Sequence, residues 1–249
     1  INSCGVARPP RPEERAATLT GRVYGAANVV RTNGTFRESF LKSGVDLTFD
    51  NLGGAGGTLR VHGEFDWSTE FSDQTGADLR LYEFSYAHGG TRFEPLRWQV
   101  GRFLHHDMPE FGLLDGIEVG YRRENGDRLG ASFGYLPELD DDLDSLADLE
   151  IAGWYEWNQD IAERWSIAVG YQKSWHRFEE DRDLFVLRTR WLPLEGWTLS
   201  STLWIDYYTG SDALKSATVE VTRANLFLGR RWQRAGLELF ADHEAYPEL

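Results

Sequence analysis

The chain has 249 residues, a formal net charge of −14 and a mean hydropathy of −0.47. No stretch of it nears the roughly 18 uninterrupted apolar residues of a membrane helix, so a helical membrane protein is excluded. Aromatics at 14% exclude a disordered acidic chain, a single Cys excludes a disulfide framework or thiolate cluster, and the lack of a basic stripe argues against a nucleic-acid partner.

Residues 1–17, with Pro9, Pro10 and Pro12, have no periodicity and read as a flexible lead-in. Cys4 is read there as an unpaired cysteine, because Asn2 poorly matches a lipoprotein cleavage site. From residue 18 onward the chain alternates with period two. Strands are expected near 18–31, 38–50, 58–71, 77–88, 96–103, 116–123, 128–136, 148–158, 163–176, 183–192, 197–208, 217–232 and 236–245, about 13 in all. Pro95, Pro109, Pro137, Pro193 and Pro247 fall between these runs, where the missing N–H removes no ladder bond. Asn125-Gly126 joins two alternating runs, a hairpin signal. A short helix is expected only within 137–148, with Leu139, Leu143 and Leu146 on one side.

Two architectures use many alternating antiparallel strands. A sandwich uses strands of about five or six residues, whereas a membrane barrel needs about 9–11. Several runs reach the second length. Short connections (124–127, 158–162, 193–196, 233–235) alternate with longer ones (104–115, 137–148, 176–182, 209–216), although 50–57 and 72–76 break the pattern. Trp157, Trp165, Trp191, Trp197 and Trp232 border the short turns, while Tyr135, Tyr171 and Tyr207 lie toward the long ones. Paired aromatic belts follow from a bilayer and have no special reason in a sandwich.

The segment Leu96-Arg97-Trp98-Gln99-Val100-Gly101-Arg102, a long loop, and then Gly112-Leu113-Leu114-Asp115-Gly116-Ile117-Glu118-Val119-Gly120-Tyr121-Arg122 resembles the porin-like outer-membrane β-barrels of Gram-negative bacteria, including the alginate-export type. The resemblance implies an all-β, antiparallel, up-and-down transmembrane barrel over 18–249 in the bacterial outer membrane. It implies a pore that passes small hydrophilic or charged solutes by diffusion, with membrane lipid and lipopolysaccharide as partners and a homo-oligomer as one possible state. Such barrels have an even strand number. An odd count, and an end at Tyr246-Pro247-Glu248-Leu249 without a final aromatic strand, lead us to expect one or more further C-terminal strands.

Strand parity selects the residues expected to line the pore. These are Arg60, Glu64 and Asp66 in the third run, then Arg97, Glu118, Arg122, Arg128 and Glu150 in the middle runs, then Arg188, Arg190 and Asp206. Charged rings of this kind set ion preference. His105-His106-Asp107 is read as solvated loop charge, since two adjacent histidines without a third placed ligand are a weak zinc signal. The acidic run Asp140-Asp141-Asp142 with Asp144 and Asp148 lacks the EF-hand pattern, and divalent cations bridging lipopolysaccharide are its alternative contact. His62 and His243 with Asp66 and Asp242 offer bases without a Ser or Cys nucleophile, so neither an enzyme nor a cofactor is expected. Two other readings stay open: a soluble extracellular all-β protein that binds carbohydrate, and a barrel that serves as an anchor or scaffold without conducting.

Overall fold

The computed structural model of the chain describes residues 14–32, 36–69, 75–91, 93–137, 146–159, 163–192, 196–209 and 218–245. The strands are β1 (Thr18–Thr32), β2 (Phe36–Leu52), β3 (Gly57–Thr69), β4 (Thr75–Gly89), β5 (Leu96–Leu104), β6 (Leu113–Arg122), β7 (Arg128–Leu136), β8 (Asp148–Asn158), β9 (Trp165–His176), β10 (Glu179–Trp191), β11 (Trp197–Tyr208), β12 (Thr218–Arg231) and β13 (Gly236–Glu244). They form one up-and-down sheet whose hydrogen-bonding order is the order of the chain, with β1 and β13 at its two ends. The shortest strands have 9 residues and the longest has 17, lengths beyond those usual in sandwiches.

Tertiary contacts divide the described strands into two compact units, β1 to β4 and β5 to β13. In the first, β1, β2, β3 and β4 pair antiparallel in sequence. One face carries Lys42, Glu64, Asp66 and Arg80, and the other carries Val23, Val45, Phe65, Leu79 and Leu81, which line an apolar groove. In the second unit every neighbouring pair is likewise antiparallel. β6 begins at Leu113, three residues before the alternation suggests, because Leu104 pairs with Leu113 and extends the ladder down both arms of the connection.

The second unit is inverted relative to a water-soluble sheet. Its buried side chains include Glu118, Glu150, Glu156, Gln172 and Asp206, while Val119, Phe133, Ile151, Val169 and Phe185 stand 40–51% exposed on the opposite face. Alternation explains the segregation, since neighbours along a strand point to opposite faces. The connection 105–112 lies over part of this polar face, where Glu118, Gln172 and Arg188 bond to it. No helix among the described residues is long and apolar enough to cross a membrane, which says nothing of strands. The helix expected within 137–148, most of the acidic run, Cys4 and the lead-in to residue 13 lie outside the described residues.

Candidate functional site

The connection from β5 to β6 is built to fold back. At its stem Arg102 grips Asp115 with two hydrogen bonds, Nε to Oδ1 at 2.7 Å and Nη2 to Oδ2 at 2.5 Å. Planar guanidinium and carboxylate match bidentately, so the pair also fixes the orientation of the arms. Above it the His105 N–H donates to the Gly112 carbonyl at 3.2 Å, and Pro109–Phe111 form one turn of 3-10 helix. Gly112, at φ 91°, closes that turn in a conformation that a Cβ would strain.

Apolar contact then holds the loop down. Met108 and Phe111 are buried against Ala152, Trp154, Ala168, Leu184 and Val186, which occupy inward positions on β8, β9 and β10. Burying a Met or Phe side chain stabilises by roughly 1.5–3 kcal/mol. Gly170 makes the space, for a Cβ there would come within 2.6 Å of Phe111 Cζ and 2.7 Å of Met108 Cε. Gln172 Nε2 donates to the Phe111 carbonyl at 2.8 Å. Replacing Gln172 by Leu leaves that carbonyl without its donor and should cost about 1–3 kcal/mol. Hydrogen exchange should then speed up within 105–112 and stay unchanged in β6 and β7.

His105, the first residue of the loop, has its imidazole fully covered between Glu118 and Glu150. Nδ1 is 3.0 Å from Glu118 Oε2, and Nε2 is 3.2 Å from Glu150 Oε1. The second contact has the distance of an ion pair and lacks the angle of a hydrogen bond. Arg97 Nη1 donates to the other Glu118 oxygen at 2.8 Å, and Ser132 Oγ donates to Glu150 Oε1 at 3.1 Å. The rings of Phe103 and Phe111 meet His105 edge-on at 6.2 and 5.5 Å. Burial alone pushes this imidazole down, but Glu118 and Glu150 outweigh it and hold the group up at about 9. At neutral pH the centre is therefore one imidazolium between two carboxylates. His106, which is exposed, is pushed the other way, by partial desolvation and then by the Arg97 charge.

All of the expected pore-lining residues but Asp206 fall into three clusters. Arg60, Glu64 and Asp66 belong to the first unit, where Glu64 accepts Lys42 Nζ at 3.0 Å and the Tyr82 and Tyr24 hydroxyls, while Asp66 lies 3.6 Å from Arg80 and Arg60 is 4.0 Å from Glu83. Arg97, Glu118 and Glu150 surround His105, and Arg122, Arg128, Arg188 and Arg190 gather beside it. Arg188 Nη1 reaches both Glu110 oxygens at 3.2 Å, and its Nη2 donates to the Asp107 carbonyl at 2.7 Å. This group borders a cavity of about 400 Å³ lined by Arg128, Arg188, Arg190, Glu156, Glu163 and Thr202, and a smaller one of about 100 Å³ at Arg97 and Arg122. A larger hollow of about 710 Å³ lies at the β12–β13 turn, away from these charges. Asp206 sits apart, fully covered, bonded to Arg182 and Thr222. Comparison with protein-family models, with curated proteins and with solved structures finds no match.

Two expectations are corrected. Of His105-His106-Asp107 only His106 stays exposed to solvent: His105 and Asp107 are buried, because the connection packs onto the wall. Asp242 and His243, both expected on the lumen side, lie on opposite faces of β13, paired with Asn225 and Ala224. What sequence reasoning missed is the landing site. Ala152, Trp154, Ala168, Leu184 and Val186 are apolar residues at inward parity, flanked by Glu150, Glu156 and Arg188, and that local break in polarity was the available signal.

Proposed function

We propose that the chain is a porin-like β-barrel of a Gram-negative outer membrane. In this reading it passes small hydrophilic or charged solutes through a lumen narrowed by the connection 105–112. The observation that carries the reading is the inverted burial: carboxylates and amides are covered while a broad face of Val, Leu, Ile and Phe is exposed. Contiguous exposed apolar surface of this extent is rare on soluble monomers and is what a lipid-facing wall requires. Aromatics at the short turns add to it. Trp157 and Trp165 meet edge to face at 5.4 Å, Trp165 pairs with Trp191, and Arg230 lies 4.7 Å from the rings of both Trp197 and Trp232. Amphipathic rings in a row suit the headgroup level.

Single-channel recording in a planar bilayer tests the proposal. Stepwise conductance is the expected result. A chain that folds in lipid without conducting is an anchor, and one that stays monomeric in buffer without detergent is the soluble protein. For the channel, changing Arg188 and Arg190 together to Glu should shift selectivity toward cations, because both side chains border the 400 Å³ cavity. An unchanged reversal potential under a salt gradient would remove these two residues from the permeation path.

A further inference from the structure

Glu163 is the point at which the charge cluster closes. It stands in the connection between β8 and β9, outside the strands that supply its partners. Arg122 Nη2, from the end of β6, is 3.1 Å from its Oε1; Arg128 Nη2, from the start of β7, bonds the same oxygen; Arg190 Nη2, from β10, is 3.5 Å from its Oε2. Three guanidiniums from three strands thus converge on one carboxylate. The Glu163 backbone sits at φ 53°, a region that non-glycine residues enter at a cost and that is often found at functional sites.

We propose that Arg122, Arg128 and Arg190 form a binding site for one carboxylate group of a solute, and that Glu163 occupies it as a tethered competitor. Charge balance sets the class of ligand. Among the described residues, Arg122, Arg128, Arg188 and Arg190 are matched by Asp107, Glu110, Glu156 and Glu163, four against four. When Glu163 swings out, one positive charge is left unmatched, which a single anionic group balances. Access is present as well: Glu163, Arg128 and Arg190 border the 400 Å³ cavity, whose other wall offers the hydroxyls of Ser200 and Thr202. Arg190 keeps half of its side-chain surface exposed, so an incoming carboxylate can engage it before displacing Glu163. Guanidinium groups suit a carboxylate because their donors match its two oxygens in one plane.

The site rests on the channel reading only for how a solute arrives, and binding can be measured without conduction. The whole chain, folded in detergent, is titrated with sodium acetate at constant ionic strength made up with sodium chloride. Tryptophan fluorescence is followed, since Trp154 lines the adjoining smaller cavity. Wild type should bind acetate saturably, and Glu163→Ala should bind it about tenfold more tightly because the competitor is gone. A response in Glu163→Ala alone means that Glu163 is a fixed structural ion pair, and that overturns the proposal. So does a response to chloride equal to that to acetate, or tighter binding of inorganic phosphate than of acetate, which assigns the arginines to phosphoryl groups. If Glu163→Ala does not fold, Glu163→Gln removes the charge at full side-chain length and takes the same titration. Saturable acetate binding in a chain that shows no conductance steps leaves the site standing and removes the channel.

Discussion

Replacing His105 by Leu should destabilise the protein by about 3–5 kcal/mol, the usual cost of stranding a buried charge. The reason lies in what is left behind. Glu118 keeps Arg97, 2.8 Å away, but Glu150 is fully covered and, among the described residues, retains only the Ser132 hydroxyl. A second change, Glu150→Leu, removes the stranded carboxylate and should recover most of the loss, because a well-packed apolar replacement of a buried pair is often neutral. Denaturant midpoints of the single and double variants in detergent check this. A double variant no better than the single would mean that His105 acts through its shape alone.

The same centre gives wild type a pH dependence of known sign. Docked, the imidazole titrates at about 9, above the roughly 6.5 of an unfolded chain, so the docked state holds the proton more tightly. The stability it contributes is complete below about pH 6.5, declines as the pH rises from there, and is gone above about pH 9. The difference corresponds to about 3 kcal/mol. The groups around His105 are Glu118 on β6, Glu150 on β8, Arg97 on β5 and the rings of Phe103 and Phe111. His105→Leu should remove this alkaline loss, and a variant that keeps the full wild-type slope would place the titration elsewhere.

Strands and faces were legible because each residue reports its own side: in β9, Trp165, Ile167, Val169 and Tyr171 face one way and Ser166, Ala168, Gly170 and Gln172 the other. The path of 105–112 was not, because its cause lies far along the chain. Met108 and Phe111 meet Gly170, Leu184 and Val186 some 60 to 80 residues later, and no local period encodes such a meeting. The Gly101-Arg102 and Leu114-Asp115-Gly116 signature was visible as a resemblance, and its physical content is now plain. Gly101 pairs with Gly116, whose missing Cβ leaves room for the Phe133 carbonyl of β7, and Arg102 clamps Asp115 at the stem. Glu163 was invisible for a different reason, since it lies in a turn and parity assigns no face to a turn residue.

Val169→Arg should cost about 2–4 kcal/mol in lipid, and almost nothing if the chain is soluble. Val169 is 47% exposed on β9 and pairs with Tyr155 and Leu187 on the apolar face. Along that face, Trp165 marks the short-turn rim, and Lys173, 3.3 Å from Asp183, marks where charge returns. The interval between them is about 26 Å along the strand, or about 20 Å in height at a tilt of about 40°, close to the apolar band of a membrane barrel. Val169 lies halfway, at the depth where an arginine is most costly. Water places no such penalty on a half-exposed position, so surface substitutions there usually stay within about 0.5 kcal/mol. Thr202→Arg is the matched control: Thr202 borders the 400 Å³ polar cavity, and a charge there remains solvated in either reading. Folding yield into vesicles, followed by denaturant unfolding of both variants, separates the cases. A large loss for Val169→Arg with a small one for Thr202→Arg assigns the apolar face to lipid, whereas equal and small losses assign it to water.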